Sequence, residues 1–429
     1  MRTKLPRPER RPLCAKNRNG GYSDLVGANR QHYYFCGVIE RKAEHSQNLL
    51  LSSQQELRYR RMTDDSFFDR PTEASIKKQR IVSKYFGGWA NIILPKTKSK
   101  EGKLRYVDFF SGPGRYLDGS PSTPLLILDH VIKTPALREV TQLFFNDENE
   151  EFIVKLENEV KRFPGVELLK HAPVFRNRAI NRDVIPKIQK TKAPTLFFAD
   201  PWGYKGISVD LIAAAIAYFG CDFLFFFNYN RINMNLGSEA MTEPINEFFT
   251  EARAETLRKT VARLRPAQRE EAILREMKSA IRSLGAQVGI FTYRSETGTR
   301  STHHLLCVSR HKYGMALFKE ISAKESTTFQ EDVPSLEHDP SANPYQTGLF
   351  SPIAELGKEL LTMFAGKVMT LEQVYHEHHI GRPYIQRNYR QALLHLEDTG
   401  AISVDPPRAS RPGGQNFPRD AKISFPRIG

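Results

Sequence analysis

The sequence lacks the features that mark a membrane, secreted or zinc-binding protein. Across its 429 residues no uninterrupted apolar stretch reaches about 20 residues, so no transmembrane helix is predicted. No basic-then-apolar segment of the secretory type opens the chain. The four cysteines show no CxxC spacing, which argues against a disulfide framework and a zinc site and favours a reducing cytoplasm. These cysteines are Cys14, Cys36, Cys221 and Cys307.

Positive charge is abundant and unevenly distributed. The formal net charge is +15, and a protein this basic often binds a polyanion. Residues 1–61 carry 13 Lys and Arg against 5 Asp and Glu, whereas residues 351–429 carry 10 against 8. The first range is also rich in Pro, Asn and Gly, a composition typical of disorder. We therefore expect residues 1–61 to form a basic disordered tail, or to precede the true start of the protein at Met62.

Short apolar runs alternate with amphipathic segments between residues 104 and 228. The runs have the length and composition of strands buried on both faces of a parallel sheet; they are LRYVDFF (104–110), QLFFN (142–146), TLFFAD (195–200) and FLFFFN (223–228). Helical patterns begin between them at Pro124, Glu150 and Val209. A longer amphipathic helix precedes them from Glu73, and Lys77, Lys78 and Arg80 are assigned to its solvent face. This β–α alternation predicts an open α/β sheet.

The pattern changes in the middle of the chain. Residues 238–283 contain two or three charged amphipathic helices, too long for a simple connection, and so predict a helical insertion. The segments QVGIFTYR (287–294) and HHLLCVS (303–309) flank a turn and predict an antiparallel hairpin. A parallel sheet that ends in an antiparallel hairpin is typical of Rossmann-like methyltransferases and not of dinucleotide dehydrogenases. We therefore expect this fold for residues 62–326.

The C-terminal part has a different element order. Residues 327–352 are rich in Pro, Ser and Asp and aperiodic, which predicts a linker. Residues 353–429 show the order helix, helix, turn, helix, strand, basic loop, strand, which is typical of a winged helix-turn-helix module with 383–398 as the candidate recognition helix. Its candidate phosphate contacts are Arg382, Arg387 and Arg390, and, on the wing, Arg408 and Arg411.

The first candidate site is DFFSGPG at residues 108–114, where a predicted strand runs into a glycine-containing turn. Glycine lets the backbone come close to a ligand, although the helix that should follow starts late. Leu117 stands where a full G-x-G-x-x-G motif has its third glycine, which argues against NAD. The shorter motif suits S-adenosylmethionine, whose ammonium group requires a nearby carboxylate, supplied by Asp108 directly or through backbone and water. The predicted cofactor residues are Asp108, Ser111, Gly112 and Gly114, with a plain strand-to-turn connection as the alternative.

Two further motifs follow predicted strands. In FFNDEN, Asp147 is the candidate acceptor for the ribose hydroxyls, with Glu148 or a simple helix N-cap as alternatives. In FFADPWGY, Asp200 would accept from a target amine, as in the D/N-P-P-[YFW] loop of amino-methyltransferases, although only one proline is present here. Trp202 or Tyr204 would stack on a flipped-out base. The alternative places Asp200 as a helix cap and Trp202 in the core.

Two histidine-containing segments are weaker signals. His303 and His304 are adjacent on a predicted strand and so point to opposite faces, which leaves one to face the pocket or both as polar strand-end residues. The segment HEHH at 376–379 looks like a metal site, but it falls in a helix–turn where exposed polar residues are usual. We expect no metal site.

Four stretches together resemble the three-Cys-motif partner protein family (TcmP): YFGGWANII, YVDFFSGPGRYLDGSPSTPLLIL, FFADPWGYKGI and TSTHHLLCVSRHKYGMALFKEISAKES. The resemblance covers about Met62 to Phe425 and leaves residues 1–61 outside. It implies a Rossmann-like methyltransferase fold with a C-terminal winged helix, in prokaryotic mobile-element or defence settings. It also implies a partner, a phage Gp37/Gp68-like protein that carries the three cysteines. The resemblance brings no established reaction with it.

Two functions remain as hypotheses. The first is an enzyme that transfers a methyl group from S-adenosylmethionine to nucleic acid, with an exocyclic base amine as the favoured acceptor. The second is a catalytically inactive methyltransferase-fold module that binds nucleic acid and recruits the three-Cys partner. A nuclease or an NAD-dependent enzyme is disfavoured, because the sequence shows neither paired metal-binding carboxylates nor a full dinucleotide motif.

Overall fold

The computed structural model of the chain describes residues 70–97, 103–190, 192–201, 206–236, 242–343, 351–411 and 416–427. These residues belong to one compact unit, Phe67–Gly429. The expectations for residues 1–61 and for a start at Met62 lie outside the described residues. Within the described ranges, no helix combines the length and the hydropathy that crossing a bilayer requires.

Helices and strands alternate through the first part of this unit. They are α1 (Glu73–Ile93), β1 (Leu104–Asp108), α2 (Thr123–Lys133), α3 (Pro135–Val140), β2 (Thr141–Asp147), α4 (Glu150–Lys161), β3 (Val174–Asn177), α5 (Ile185–Gln189), β4 (Thr195–Ala199), α6 (Val209–Ala215), β5 (Asp222–Phe227), α7 (Tyr229–Asn235), α8 (Thr242–Phe249), α9 (Glu251–Val261), α10 (Pro266–Arg282), β6 (Gln287–Arg294), β7 (Ser301–Ser309), α11 (Lys312–Glu325), β8 (Phe329–Gln330), β9 (Val333–Pro334) and β10 (Glu337–His338). Sequence patterns missed β3, because its residues VFRN are partly exposed and form no apolar run.

Eight strands form one sheet in the order β10-β6-β7-β5-β4-β1-β2-β3. The strands β5, β4, β1, β2 and β3 are each parallel to the next in this order, whereas β7 runs antiparallel to both β5 and β6. A parallel sheet with one reversed strand inserted beside β5 is the arrangement of Rossmann-like methyltransferases. The predicted fold class is therefore confirmed, including the antiparallel hairpin β6–β7.

Helices cover both faces of this sheet, and the strands are apolar on both sides for that reason. In β5, Phe223 and Phe225 enter the core on one face, and Leu224 enters the core on the other. The first core includes α6 and residues of the insertion, such as Phe248 and Met277. The second core is formed largely by α1, α2 and α11. The inserted helices α8 to α10 thus bury a face of the sheet.

A winged helix follows, made of α12 (Pro352–Met363), β11 (Val368–Met369), α13 (Leu371–His378), α14 (Gln386–Asp398), β12 (Ser403–Asp405) and β13 (Lys422–Ser424). Its strands form a separate antiparallel sheet in the order β11-β13-β12. The candidate recognition helix is α14. The described part of the predicted linker, residues 327–343, contains the small hairpin β8–β9 and the strand β10, which pairs with β6. This part of the segment therefore belongs to the sheet architecture of the first domain.

Candidate active site

Three acidic residues meet at the carboxyl edge of the central sheet. β1 ends at Asp108, β2 ends at Asp147, and Asp200 directly follows β4. Since β1 pairs with both β2 and β4, these residues come from adjacent strands. The carboxyl edge is where ligands bind in open α/β sheets. The structure thus brings the three predicted motifs to one place.

The glycine loop is held to β2 through its backbone. The amide and the hydroxyl of Ser111 both donate to the Asn146 carbonyl, at 2.8 and 3.1 Å. Gly112 and Gly114 have φ of 64° and 88°, a region that strongly favours glycine. A Cβ on Gly114 would lie 2.8 Å from Leu156 Cδ1. The loop conformation therefore requires glycine at these two positions.

Asp147 connects the glycine loop to the start of α4. Its Oδ2 accepts from the Gly112 amide at 2.9 Å, and its Oδ1 accepts from the Asn149 amide at 3.0 Å. The N-cap of α4 is Asn149, so the N-cap alternative for Asp147 is wrong. Glu148, the other candidate, is exposed at the same edge. The side chain of Asp147 is buried and fixes the loop that carries the two glycines.

Asp108 is a buried group rather than an exposed anion. Its Oδ1 accepts from the Phe110 amide and its Oδ2 from the Tyr106 hydroxyl, both at 3.2 Å. Burial is the largest cause that raises the pKa of Asp108 to about 8, so the carboxyl is mostly neutral at pH 7. A direct charge contact with a cofactor ammonium group does not fit this environment. This environment instead fits an indirect role, in which Asp108 acts on the cofactor through the backbone of the loop.

Asp200 forms an ion pair with Lys78 of α1. The Lys78 side chain is only 5% exposed and that of Asp200 is 21% exposed. The assignment of Lys78 to the solvent face of α1 is therefore wrong. Its ammonium group also lies 4.6 Å from the ring centroid of Phe226, a cation–π contact. Asp200 does not cap α6, whose N-cap is Ser208.

The predicted stacking residues Trp202 and Tyr204 lie outside the described residues. The aromatic ring that Lys78 contacts, Phe226, stacks on His303 with ring centroids 4.8 Å apart. His304 points to the opposite face, where it is fully buried and burial lowers its pKa to about 3. Of the two histidines, His303 thus shares the face on which Lys78 contacts Phe226.

Lys78 is the functional candidate that the sequence patterns missed. It lies three residues before Ile81 and seven before Tyr85, both fully buried, so helical periodicity placed it on the buried stripe of α1. Its charge led to the opposite assignment. The buried position is possible because the carboxylate of Asp200 neutralises the ammonium group.

The predicted phosphate contacts have different environments. Arg411 is wrong as a phosphate contact, since it is buried, pairs with Glu397 and lies 4.9 Å from the ring centroid of Phe417. Two others are engaged by acids: Arg382 pairs with Glu359 at 2.8 Å and Arg408 with Asp398. Arg387 and Arg390 are exposed on α14.

The histidines at 376–379 are buried, which contradicts the expectation of exposed polar residues. His378 Nδ1 lies 2.8 Å from the Tyr389 hydroxyl, and burial lowers the pKa of His378 to about 4. His379 is fully buried, and burial lowers its pKa to about 3. These neutral rings pack the helix-turn against α11 and α14.

Comparison with protein families gives one partial match. Residues 321–409 match the GMT-like wHTH domain, which covers α12 to β12. This match agrees with the winged helix that the structure shows. No curated protein matches the sequence.

Several solved structures resemble the chain at low identity. They are the DszA carbon methyltransferase (11% identity, 56% of this chain and 56% of that chain, TM-score 0.37), the methyltransferase domain of bacterial CtHen1-C (9%, 53% and 98%, 0.28) and the SAM-bound magnesium protoporphyrin IX methyltransferase ChlM of Synechocystis PCC 6803 (9%, 58% and 96%, 0.24). The match thus spans little more than half of the DszA chain. With TM-scores below 0.5, these structures add nothing to the fold that the strand order defines.

Proposed function

We propose that this chain is an S-adenosylmethionine-dependent methyltransferase that acts on nucleic acid, with an exocyclic base amine as the favoured acceptor. One observation carries the proposal: the glycine loop, Asp147 and Asp200 converge at the carboxyl edge of β1, β2 and β4 in a sheet of the methyltransferase type. We also propose that the protein resides in the cytoplasm, where this common methyl donor is available.

The residues at this edge fit the cofactor. Gly112 and Gly114 have no side chain to block the approach of a ligand to the loop backbone. Asp147 lies at the end of β2, where a ribose would be held, and Glu148 is exposed beside it. Ser111 and Asp108 fix the backbone of the loop through hydrogen bonds to the Asn146 carbonyl and from the Phe110 amide. When bound, the cofactor supplies a methyl group on a sulfonium, which an amine nitrogen attacks.

Asp200 is the candidate group for the acceptor. Lys78 bonds its Oδ2, and Oδ1 has no hydrogen-bond partner among the residues that the structure describes. That oxygen would accept a hydrogen bond from the target amine and orient its lone pair toward the methyl group. Trp202 or Tyr204 would stack on the base. The ion pair with Lys78 would hold the Asp200 carboxylate in one orientation.

The winged helix supports a nucleic-acid substrate. Arg387 and Arg390 are exposed on the candidate recognition helix, a position suited to phosphate contacts. The similarity to the TcmP family adds a second proposed partner, a phage Gp37/Gp68-like protein with three cysteines. The same similarity favours a role in phage defence or in a mobile element.

A second candidate function is supported by the same ion pair. Because Lys78 already occupies one oxygen of Asp200, the acceptor site is partly filled, and the loop contains one proline instead of two. A catalytically inactive module that binds nucleic acid and recruits the three-Cys partner would show this arrangement. It would retain the winged helix and lose methyl transfer.

Isothermal titration with S-adenosylhomocysteine tests the cofactor site in the full chain. We expect measurable heat and a higher melting temperature in the presence of the ligand. The absence of heat, together with an unchanged melting temperature, would rule out the cofactor site. A survey of modified bases in host DNA and RNA, with and without the gene, then separates the enzyme from the inactive module, because only the enzyme adds a methylated base.

A further inference from the structure

The N-terminal end of α14 is covered by other parts of the same chain. The first amide of the helix, at Gln386, donates to Glu320 Oε1 of α11 at 2.8 Å. Free amides at a helix N-terminus attract anions, and here a carboxylate of the first domain already occupies this position. In helix-turn-helix proteins, this end of the recognition helix contacts the nucleic acid.

A short acidic turn reaches the same end of the helix. Glu331 and Asp332 connect β8 to β9, and we call these two residues the acidic turn. Both have positive φ, 47° and 65°, as a two-residue hairpin turn of type I′ requires at its two central residues. The hairpin itself therefore sets the conformation of the acidic turn.

Asp332 engages the polar side chains of the first two turns of α14. Its carbonyl accepts from Arg387 Nη2 and from Asn388 Nδ2, both at 3.1 Å. Its Oδ2 accepts from Gln391 Nε2 at 3.0 Å, and its Oδ1 lies 3.8 Å from Arg387 Nη2. The guanidinium and amide donors that would bind a phosphate therefore bind oxygens of this residue.

We propose that the face of α14 formed by Arg387, Arg390 and Gln391 binds the phosphate backbone of duplex DNA in competition with Asp332. The proposal rests on the nucleic-acid part of the proposed function. Charge complementarity favours this partner, since Arg390 is exposed one turn after Arg387 and makes no ion pair with any described residue. Asp332 occupies the donors that the DNA requires.

The contact is weak enough to be displaced. The side chains of Arg387 and Asp332 are 52% and 59% exposed, and ion pairs between exposed groups contribute little. The helix-turn does not depend on them, because the buried Lys319 of α11 donates to the carbonyls of His379 and Tyr384, both at 2.8 Å. Arg387 and Gln391 can therefore turn away from Asp332 while Val333, buried in the core of the winged helix, keeps the acidic turn in place.

Fluorescence anisotropy of the full chain with a short labelled DNA duplex at low salt tests the competition. Asp332→Asn removes the charge in a residue type that tolerates positive φ, and Asp332→Gly removes the side chain. Both should bind DNA about three- to ten-fold more tightly than the unmodified chain. The matched control is Glu331→Gln, which makes the same change in net charge on the same turn. The Glu331 carboxylate accepts from the Ser351 hydroxyl, and among the described residues it makes no hydrogen bond or ion pair with α14, so the affinity of Glu331→Gln should stay within about twofold of the unmodified chain.

Three results would overturn the proposal. They are equal affinities for Asp332→Asn and Glu331→Gln, no effect of Arg387→Ala and Arg390→Ala on binding, and a gain confined to duplex RNA. Titration of the same variants with S-adenosylhomocysteine reports separately on the cofactor site. Retained cofactor binding with unchanged DNA affinity would reject the competition and leave the cofactor site intact.

Discussion

Lys78 and Asp200 form a partly buried ion pair across the carboxyl edge of the sheet, although 122 residues separate them in the chain. Lys78 lies in α1, before the first strand, and Asp200 directly follows β4. A charge removed from water is costly unless it has a partner. Each of the two groups is therefore tolerated at this edge because of the other, and the pair fixes the position of Asp200.

Replacement of Lys78 should destabilise the protein. Lys78→Met leaves the Asp200 carboxylate without its partner and should lower the free energy of unfolding by about 2–3 kcal/mol, less than for a fully buried pair because Asp200 is partly exposed. Urea unfolding measures this change. Lys133→Met is the control, since Lys133 is 73% exposed in its pair with Asp129 and its loss should cost less than about 0.5 kcal/mol.

The double variant Lys78→Met/Asp200→Asn should be more stable than Lys78→Met alone, because no unpaired charge then remains at the edge. An equal decrease in the free energy of unfolding in Lys78→Met and Lys133→Met would contradict the partly buried ion pair.

Replacement of Asp200 should separate catalysis from cofactor binding. Asp200→Ala removes the candidate acceptor of the target amine and should lower methyl transfer at least about 100-fold, while the Kd for S-adenosylhomocysteine stays within about threefold. Transfer is measured with radiolabelled cofactor and nucleic acid, and binding by titration calorimetry. Asp210→Ala, at an exposed residue in the first turn of α6, is the control and should keep full activity. Transfer retained in Asp200→Ala would remove Asp200 from the proposed site.

Two glycines with similar positive φ provide a matched test of the loop. Gly114 and Gly119 have φ of 88° and 84°, but only at Gly114 would a Cβ meet a neighbour, Leu156 Cδ1 at 2.8 Å. Gly119→Ala should cost about 1 kcal/mol from backbone strain alone, and Gly114→Ala about 1 kcal/mol more, with weakened cofactor binding. Thermal unfolding and calorimetric titration measure both effects. Equal decreases in stability in the two variants would show that the contact with Leu156 is easily relieved.

Asp108 should make stability depend on pH. Burial raises its pKa to about 8, above the value near 3.9 of an unfolded chain, so the folded state binds the extra proton between these two values. Its contribution is fully present below about pH 4 and is lost as the pH rises through 8. Asp108→Asn removes this dependence and keeps an oxygen to accept from the Phe110 amide.

Urea unfolding of the unmodified chain and of Asp108→Asn at several pH values measures the difference. Between pH 4 and 8 the variant should gain stability relative to the unmodified chain by up to about 1.4 kcal/mol per pH unit. If the free energy of unfolding changes with pH in the same way for the two proteins, Asp108 is ionised in the folded state at neutral pH.

Much of the fold follows from local patterns in the sequence. Apolar runs such as FLFFF predict strands buried on both faces, because each residue of such a strand faces one core or the other. The motifs that follow these runs must then meet at the carboxyl edge, since parallel strands end on the same side. Asp147 and Asp200 were found in this way. The outer strand β3 was not, because a partly exposed edge strand has no apolar run.

The sequence by itself thus determined the α/β architecture, the winged helix and the edge of the sheet where the motifs lie, because periodicity and strand polarity are local properties. Only the tertiary structure decided which charges pair. Lys78 meets Asp200, Arg411 is buried against Glu397, and Asp332 covers the end of α14, 55 residues away at Arg387. The same arginine type lies at positions 390 and 411, yet one is exposed and the other is buried. The difference is physical: a charged side chain becomes buried only where folding brings to it an opposite charge, as for Lys78, or hydrogen-bonding groups, as for Lys319.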